Sequence, residues 1–191
     1  MLSGLVGLHA ASLDDGTSLP AGDVRLILHG VSNKLQAIAG LHRLLSKGSS
    51  TTINLAKYIC EVAQHTVATL STPEKTNLIL DASSGFVPVE QAVAVGLLLE
   101  EALTNSLKYA HPTGVAGEII VNCHTHEDDG FIVEIIDDGV GFPDQSPSDG
   151  SCGLRIMRAL AANVGAELEF KSEMIGLTVR LVKSGSPTAA I

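Results

Sequence analysis

The sequence predicts an α+β fold: a two-layer α/β sandwich, with a mixed sheet carrying helices on one face, preceded by a long separate helix. Three observations predict it. Apolar residues recur at helical spacing in four stretches, including one seam of heptads. Period-two alternation marks five short segments, two of them joined by an Asp-Gly turn signal. Helical and extended segments are intermixed, which favours one sheet with helices stacked on one face. With 191 residues the chain is long enough for one ordinary domain with an extra helical piece. Apolar residues make up 45% and aromatics only 3%, with no Trp, so aliphatic side chains must build the core.

Residues 1–22 have no clear assignment. A short helix is possible over 3–11, and the Asp- and Gly-rich stretch before Pro20 reads as a loop. The first long helix spans 23–48. Its seam runs Val24, Leu28, Val31, Leu35, Ile38, His42 and Leu45, spaced alternately four and three, and a seam of that kind wants a partner helix. Gly30 inside it costs about 1 kcal/mol relative to Ala. Beside the seam lie His29, Asn33 and Gln36 on one polar stripe. An imidazole there is a capable nucleophile near neutral pH, although a lone histidine on a bundle helix is more often an ordinary surface residue.

A domain of 53–183 follows. Residues 53–70 form an amphipathic helix, 76–81 a strand, and 88–110 a helix with Pro88 at its start and His111-Pro112 after its end. Strands over 117–126 and 131–137 flank the Glu-Asp-Asp-Gly turn ending at Gly130. A polar loop over 139–151 precedes a helix over 153–164. Strands over 166–172 and 176–183 complete the sheet, and 184–191 is a loose tail.

The helix over 88–110 has chemistry on one side. Glu101, Asn105 and Lys108 stand at i, i+4 and i+7 and face the same way. Leu99, Ala102, Leu103, Ser106 and Leu107 form its packing side. A carboxylate, an amide and an ammonium in one line can meet a water, a metal ion and a phosphate in turn. A solvated helix face is the plainer alternative. Two glycine clusters change that balance. Asp137-Asp138-Gly139-Val140-Gly141 follows a strand directly; its acid can accept from an exocyclic amine, and its glycines let a ligand approach the backbone. Gly150-Ser151-Cys152-Gly153-Leu154-Arg155 opens a helix, whose first N–H groups attract phosphate oxygens. Either cluster alone is common in turns. Their order places a nucleotide between the helix and the polar loop.

Composition narrows the partners. The net charge of −9 argues against nucleic acid or an anionic membrane as the main partner. Cys60, Cys123 and Cys152 form no Cys-x-x-Cys pair and read as free thiols in a reducing compartment. The N-terminus lacks the features of a signal peptide or a span. These observations predict a cytoplasmic protein.

Taken together, these segments resemble bacterial sensor histidine kinases, within the wider gyrase, chaperone and mismatch-repair ATPase group (the GHKL, or Bergerat, fold). The resemblance covers roughly 53–183, and 23–48 resembles a phosphoacceptor helix. Residues 101–110 resemble that family's N box, 137–141 its first glycine box and 151–156 its second. His29, Val31, Asn33, Leu35 and Gln36 resemble the His-x-Val-x-Asn-x-Leu-Gln H box of one subgroup. The resemblance implies ATP and Mg²⁺ as ligands. It makes Asn105 a ligand of Mg²⁺ and brings Lys108 to phosphate. Glu101 would orient the attacking group and Asp137 read the adenine amino group. Gly139, Gly141, Gly153 and Leu154 belong to the nucleotide-binding loops. It makes His29 the acceptor of the γ-phosphoryl group, for transfer to an aspartate on a response-regulator receiver domain. A homodimer through 23–48 and a separate sensor protein are further implied. The family's second bundle helix is not evident, because only 47–52 separate the first helix from the ATP domain. An adaptor or phosphotransfer protein, and a serine kinase of the anti-sigma type, are the competing readings.

Overall fold

The computed structural model describes residues 51–83, 85–126, 129–141, 152–173 and 175–185. The expectations for 1–50, including His29 and the helix over 23–48, lie outside those residues. So do most of the polar loop, residue 151 and the end of the tail. The described elements run β1 (Thr52–Asn54), α1 (Leu55–Leu70), β2 (Thr76–Ala82), β3 (Phe86–Pro88), α2 (Val89–Tyr109), β4 (Gly117–Thr125), β5 (Phe131–Asp137), α3 (Cys152–Asn163), β6 (Glu167–Ser172) and β7 (Leu177–Lys183).

Five strands form the main sheet in the order β2-β4-β5-β7-β6. β2 and β4 are parallel, and the remaining pairs are antiparallel. This is the predicted mixed sheet. β4 and β5 make a hairpin closed by the bond from His126 N–H to Gly130 O, with Asp129 in the left-handed region at φ 63°. Alternation does the sorting. Ile119, Val121, Cys123, Phe131, Val133, Ile135, Val179 and Leu181 are buried on one face. Their neighbours along each strand, such as Ile120, Glu134 and Arg180, remain partly exposed on the other.

The three helices cover the buried face. α2 lies in the middle, against β5, with α1 on one side and α3 on the other; α1 also packs on β2 and β4, and α3 on β6. Ala94 to Glu100 of α2 are all buried, as expected of a helix flanked on both sides and roofed by a sheet. Beyond Glu90 and Gln91 in its first turn, its polar side chains lie in the last three turns. Gly96 sits where the helices come closest: a Cβ there would lie 2.6 Å from the Tyr58 hydroxyl. Burial, and then the Glu100 carboxylate, push the Tyr58 phenol up to about 12. Burial, and then the Cys60 thiol, push the Cys123 thiol up to about 12 as well.

The small two-stranded ribbon was not predicted. β1 pairs antiparallel with β3, Ile53 facing Val87, and Val89 N–H donates to Thr51 O at 3.1 Å. The first domain helix therefore starts at Leu55 and not at Ile53. Asn54 stays extended at φ −68°, ψ 107°, and its side chain accepts from Lys57 N–H at 3.0 Å. An N-cap of that kind outweighs the apolar periodicity that ran on through Ile53. The other element boundaries agree with the expectation to within one or two residues.

Gly96→Val is expected to overpack the α1–α2 contact and lower stability by about 2 kcal/mol. Tyr58→Ala in that background should return part of the loss, read by urea titration. Alkaline stability has a definite sign. Between pH 10 and 12 the folded chain holds the Tyr58 proton that the unfolded chain has released, so stability falls as pH rises. Tyr58→Phe should flatten part of that slope.

Candidate functional site: the foot of helix α2

α2 ends where the chain reaches His111-Pro112, and Ala110 N–H still bonds Ser106 O at 2.9 Å. The turn after β5 docks on this end. Val140 N–H donates to Ala110 O at 2.9 Å. Gly139 presses so closely on Ala110 that any Cβ would fall inside contact distance of Ala110 Cβ, Cα and O. Gly139 O in turn accepts from Gly176 N–H at 2.6 Å, which ties the turn to the β6–β7 connection. Gly141 has φ 66°, a conformation glycine adopts without the cost other residues meet.

Asp137, the last residue of β5, is 4% exposed. One carboxylate oxygen, Oδ1, accepts from Gly139 N–H at 3.1 Å and Leu177 N–H at 3.2 Å. The other, Oδ2, accepts from the Ser106 hydroxyl at 2.7 Å. A carboxylate offers about four lone-pair positions. Three are used, so Oδ2 keeps one acceptor position for a donor from outside. That acceptor is held in place on three sides and suits an exocyclic amine.

The predicted stripe on α2 is present. Glu101 and Asn105 are half-buried, and Lys108 is exposed in the last turn. The start of α3 comes directly against them. A Cβ on Gly153 would collide with Glu101 Oε1 and stand 3.6 Å from Asn105 Nδ2. Glycine leaves that space to the carboxylate; a side chain at 153 would make the Glu101 carboxylate swing aside. Leu154 is buried in the core, where it anchors the start of α3 and does not line the stripe.

Segments far apart in sequence therefore meet at one place. Glu101, Asn105 and Gly153 form one group. Asp137 and Gly139 form a second, joined to the first through Ser106, the helical neighbour of Asn105. Gly141 leaves the turn toward the loop over 142–151. His29 lies outside the described residues. Sequence reasoning missed Ser106, which was assigned to the packing side. It does pack inward, and its hydroxyl there meets the carboxylate. A serine among Leu99, Ala102, Leu103 and Leu107 was the available signal, since a buried hydroxyl needs a partner. Tyr109, Val140 and Ile175, which flank these contacts, are 67%, 60% and 75% exposed. Apolar groups beside one polar reader are the mixture expected around a planar ligand.

Residues 68–183 match the histidine kinase-like ATPase domain family. The chain belongs to that family. All the α2, β5 and α3 residues named above fall within the matched span of this ATPase domain, and His29 precedes it. The chain is 28% identical over 171 residues to blue-light-activated histidine kinase 2 of Erythrobacter litoralis (strain HTCC2594), covering 86% of this chain and 49% of that protein. It thus spans about half the length of that relative. Among solved structures it is similar to the Erythrobacter litoralis EL346 blue-light activated histidine kinase, with a TM-score of 0.76 and 25% identity over 95% of this chain and 56% of that one. A likeness in fold alone extends to the Acinetobacter baumannii histidine kinase AdeS, with a TM-score of 0.54 and 12% identity over 96% of this chain and 94% of that one.

Gly153→Ala is expected to turn the Glu101 carboxylate away from the start of α3 and weaken adenine-nucleotide binding about tenfold, with far-UV circular dichroism unchanged. Asp137→Asn turns an amide into a ring of N–H and O–H donors and should cost about 1–3 kcal/mol of stability. Calorimetric unfolding of the two variants separates these effects.

Proposed function

We propose that the protein is an ATP-dependent histidine kinase of two-component signalling. It binds ATP at the foot of α2 and places the γ-phosphoryl group on His29, for transfer to an aspartate of a response-regulator receiver domain. The observation that carries this reading is the meeting of Glu101, Asn105, Ser106, Asp137 and Gly153 within an ATPase domain of this family. The donor set fits the ligand. The free acceptor position of Asp137 suits the adenine amino group. The Asn105 amide oxygen would hold Mg²⁺, which supplies charge neutralisation at the phosphates. Lys108 adds an ammonium to the phosphate end, and the first N–H groups of α3 face the same region. Glu101 orients the attacking imidazole. In the transfer itself, the bond from the γ-phosphorus to its bridging oxygen breaks, a phosphorus–nitrogen bond to His29 forms, and ADP leaves. The protein's part is positioning and charge stabilisation, as phosphoryl transfer demands.

The H-box residues from His29 to Gln36 favour a histidine acceptor over the serine-kinase reading. The complete donor set at α2 favours ATP turnover over the adaptor reading. A cytoplasmic homodimer joined through 23–48, receiving its signal from a separate sensor protein, completes the proposal. No helix among the described residues is long and apolar enough to cross a membrane.

With labelled ATP and Mg²⁺, the purified chain should take up label that is acid-labile and base-stable, and His29→Gln should remove it. Acid-stable label that survives in His29→Gln would overturn the histidine-kinase reading in favour of a serine acceptor. Asn105→Ala should lower Mg·ATP affinity by about 2 kcal/mol, measured by titration calorimetry. An unchanged affinity would remove Asn105 from the site.

A further inference from the structure

We infer that His111 is a positioning residue of the nucleotide site: it holds the Asp137–Gly139 turn by gripping Asp138. The inference rests on the reading of Asp137 as the adenine acceptor, and it gives His111 no contact with the nucleotide.

His111 follows Ala110, the residue on which Gly139 and Val140 dock. Its Nε2 lies 3.2 Å from Asp138 Oδ1, with the two side chains 22% and 50% exposed. The same Oδ1 accepts from Glu118 N–H at 2.9 Å, which fastens Asp138 to the start of β4. The imidazole lies flush on Gly117. A Cβ there would clash with ring atoms Cε1 and Nδ1 and stand 2.7 Å from Nε2, so the ring is confined. Gly117 is itself held by its N–H to Lys75 O at 3.0 Å. Two consecutive residues, 110 and 111, thus grip three consecutive residues, 138 to 140. One grip is backbone to backbone and the other side chain to side chain. Asp138 stands between the carboxylate that would read adenine and the glycine whose N–H helps hold that carboxylate. A slack Asp138 would loosen both.

The charges around the ring are few. Asp138 faces Nε2. Glu118, on β4, directs its carboxylate to the Asn77 amide at 2.8 Å. Lys75, before β2, is exposed. Asp138 is thus the carboxylate that His111 meets directly. An Nε2–H donated to that carboxylate makes a charge-assisted bond, roughly twice as strong as one between neutral groups.

The test is ATP affinity of the full chain, for wild type and for variants whose melting temperatures are recorded in parallel. His111→Ala should bind ATP several-fold more weakly, and His111→Gln, which keeps a donor, should recover part of that loss. Asp138→Asn should weaken binding in the same direction as His111→Ala, and the double variant should add nothing further. Wild-type affinity in His111→Ala overturns the inference, and so does additivity of the double variant. If wild type binds ATP and Asp137→Asn does not, such a result leaves the site reading standing. If wild type binds no ATP, both fall together.

Discussion

The site depends on one buried carboxylate. Asp137 sits under the helices at the end of a central strand, where an unpartnered charge would cost several kcal/mol. It is tolerated because Gly139, Leu177 and Ser106 each donate to it. Those donors come from the turn, from β7 and from α2, so satisfying the charge fixes three segments relative to one another. The glycine turn can then press on Ala110, and the β6–β7 connection can bond back to the turn through Gly176. The same bonds leave one acceptor position on Oδ2 unused, the position the proposed nucleotide would take. The donors that make the charge bearable in the fold also fix where that position lies.

α2 divides into two halves by its surroundings. Its middle, Ala94 to Glu100, is buried all round between α1, α3 and the sheet, and this burial supplies the rigidity. Its last three turns extend to where the turn and the start of α3 meet it, and there Glu101, Asn105 and Lys108 appear at helical spacing. Side chains on a helix whose other half is locked in the core have little freedom to drift, which is what a positioning site requires. α3 adds a second contact, since Gly153 leaves room at its first turn for the Glu101 carboxylate to lie against it.

Much of this was legible in the sequence because it follows from local rules. Strand alternation, the Asp-Gly hairpin signal and the amphipathic helices depend on near neighbours, and each was placed to within a residue or two. Glu101, Asn105 and Lys108 were legible because helical spacing alone brings them onto one stripe. What was not legible depends on partners far away in the chain. β1 and β3 are three residues each and exist only because they pair with each other, so no periodicity announces them. Ser106 looked like a packing residue because its partner, Asp137, is 31 positions further on. The His111–Asp138 contact was hidden for the same reason, with His111 reading only as the residue that stops a helix.

The entry of the chain into the domain bears on how the two ends of α2 relate. Thr51, arriving from residues 1–50, accepts the N–H of Val89, the first residue of α2. The next three residues pair with β3, which runs straight into that helix. The chain therefore enters the ATPase domain at the first turn of a 21-residue helix, about 31 Å long at 1.5 Å per residue. Glu101, Asn105 and Lys108 stand in the second half of that same helix. One continuous helix thus links the entry ribbon to the stripe, so the ribbon and the stripe are held as one piece by the hydrogen bonds of α2.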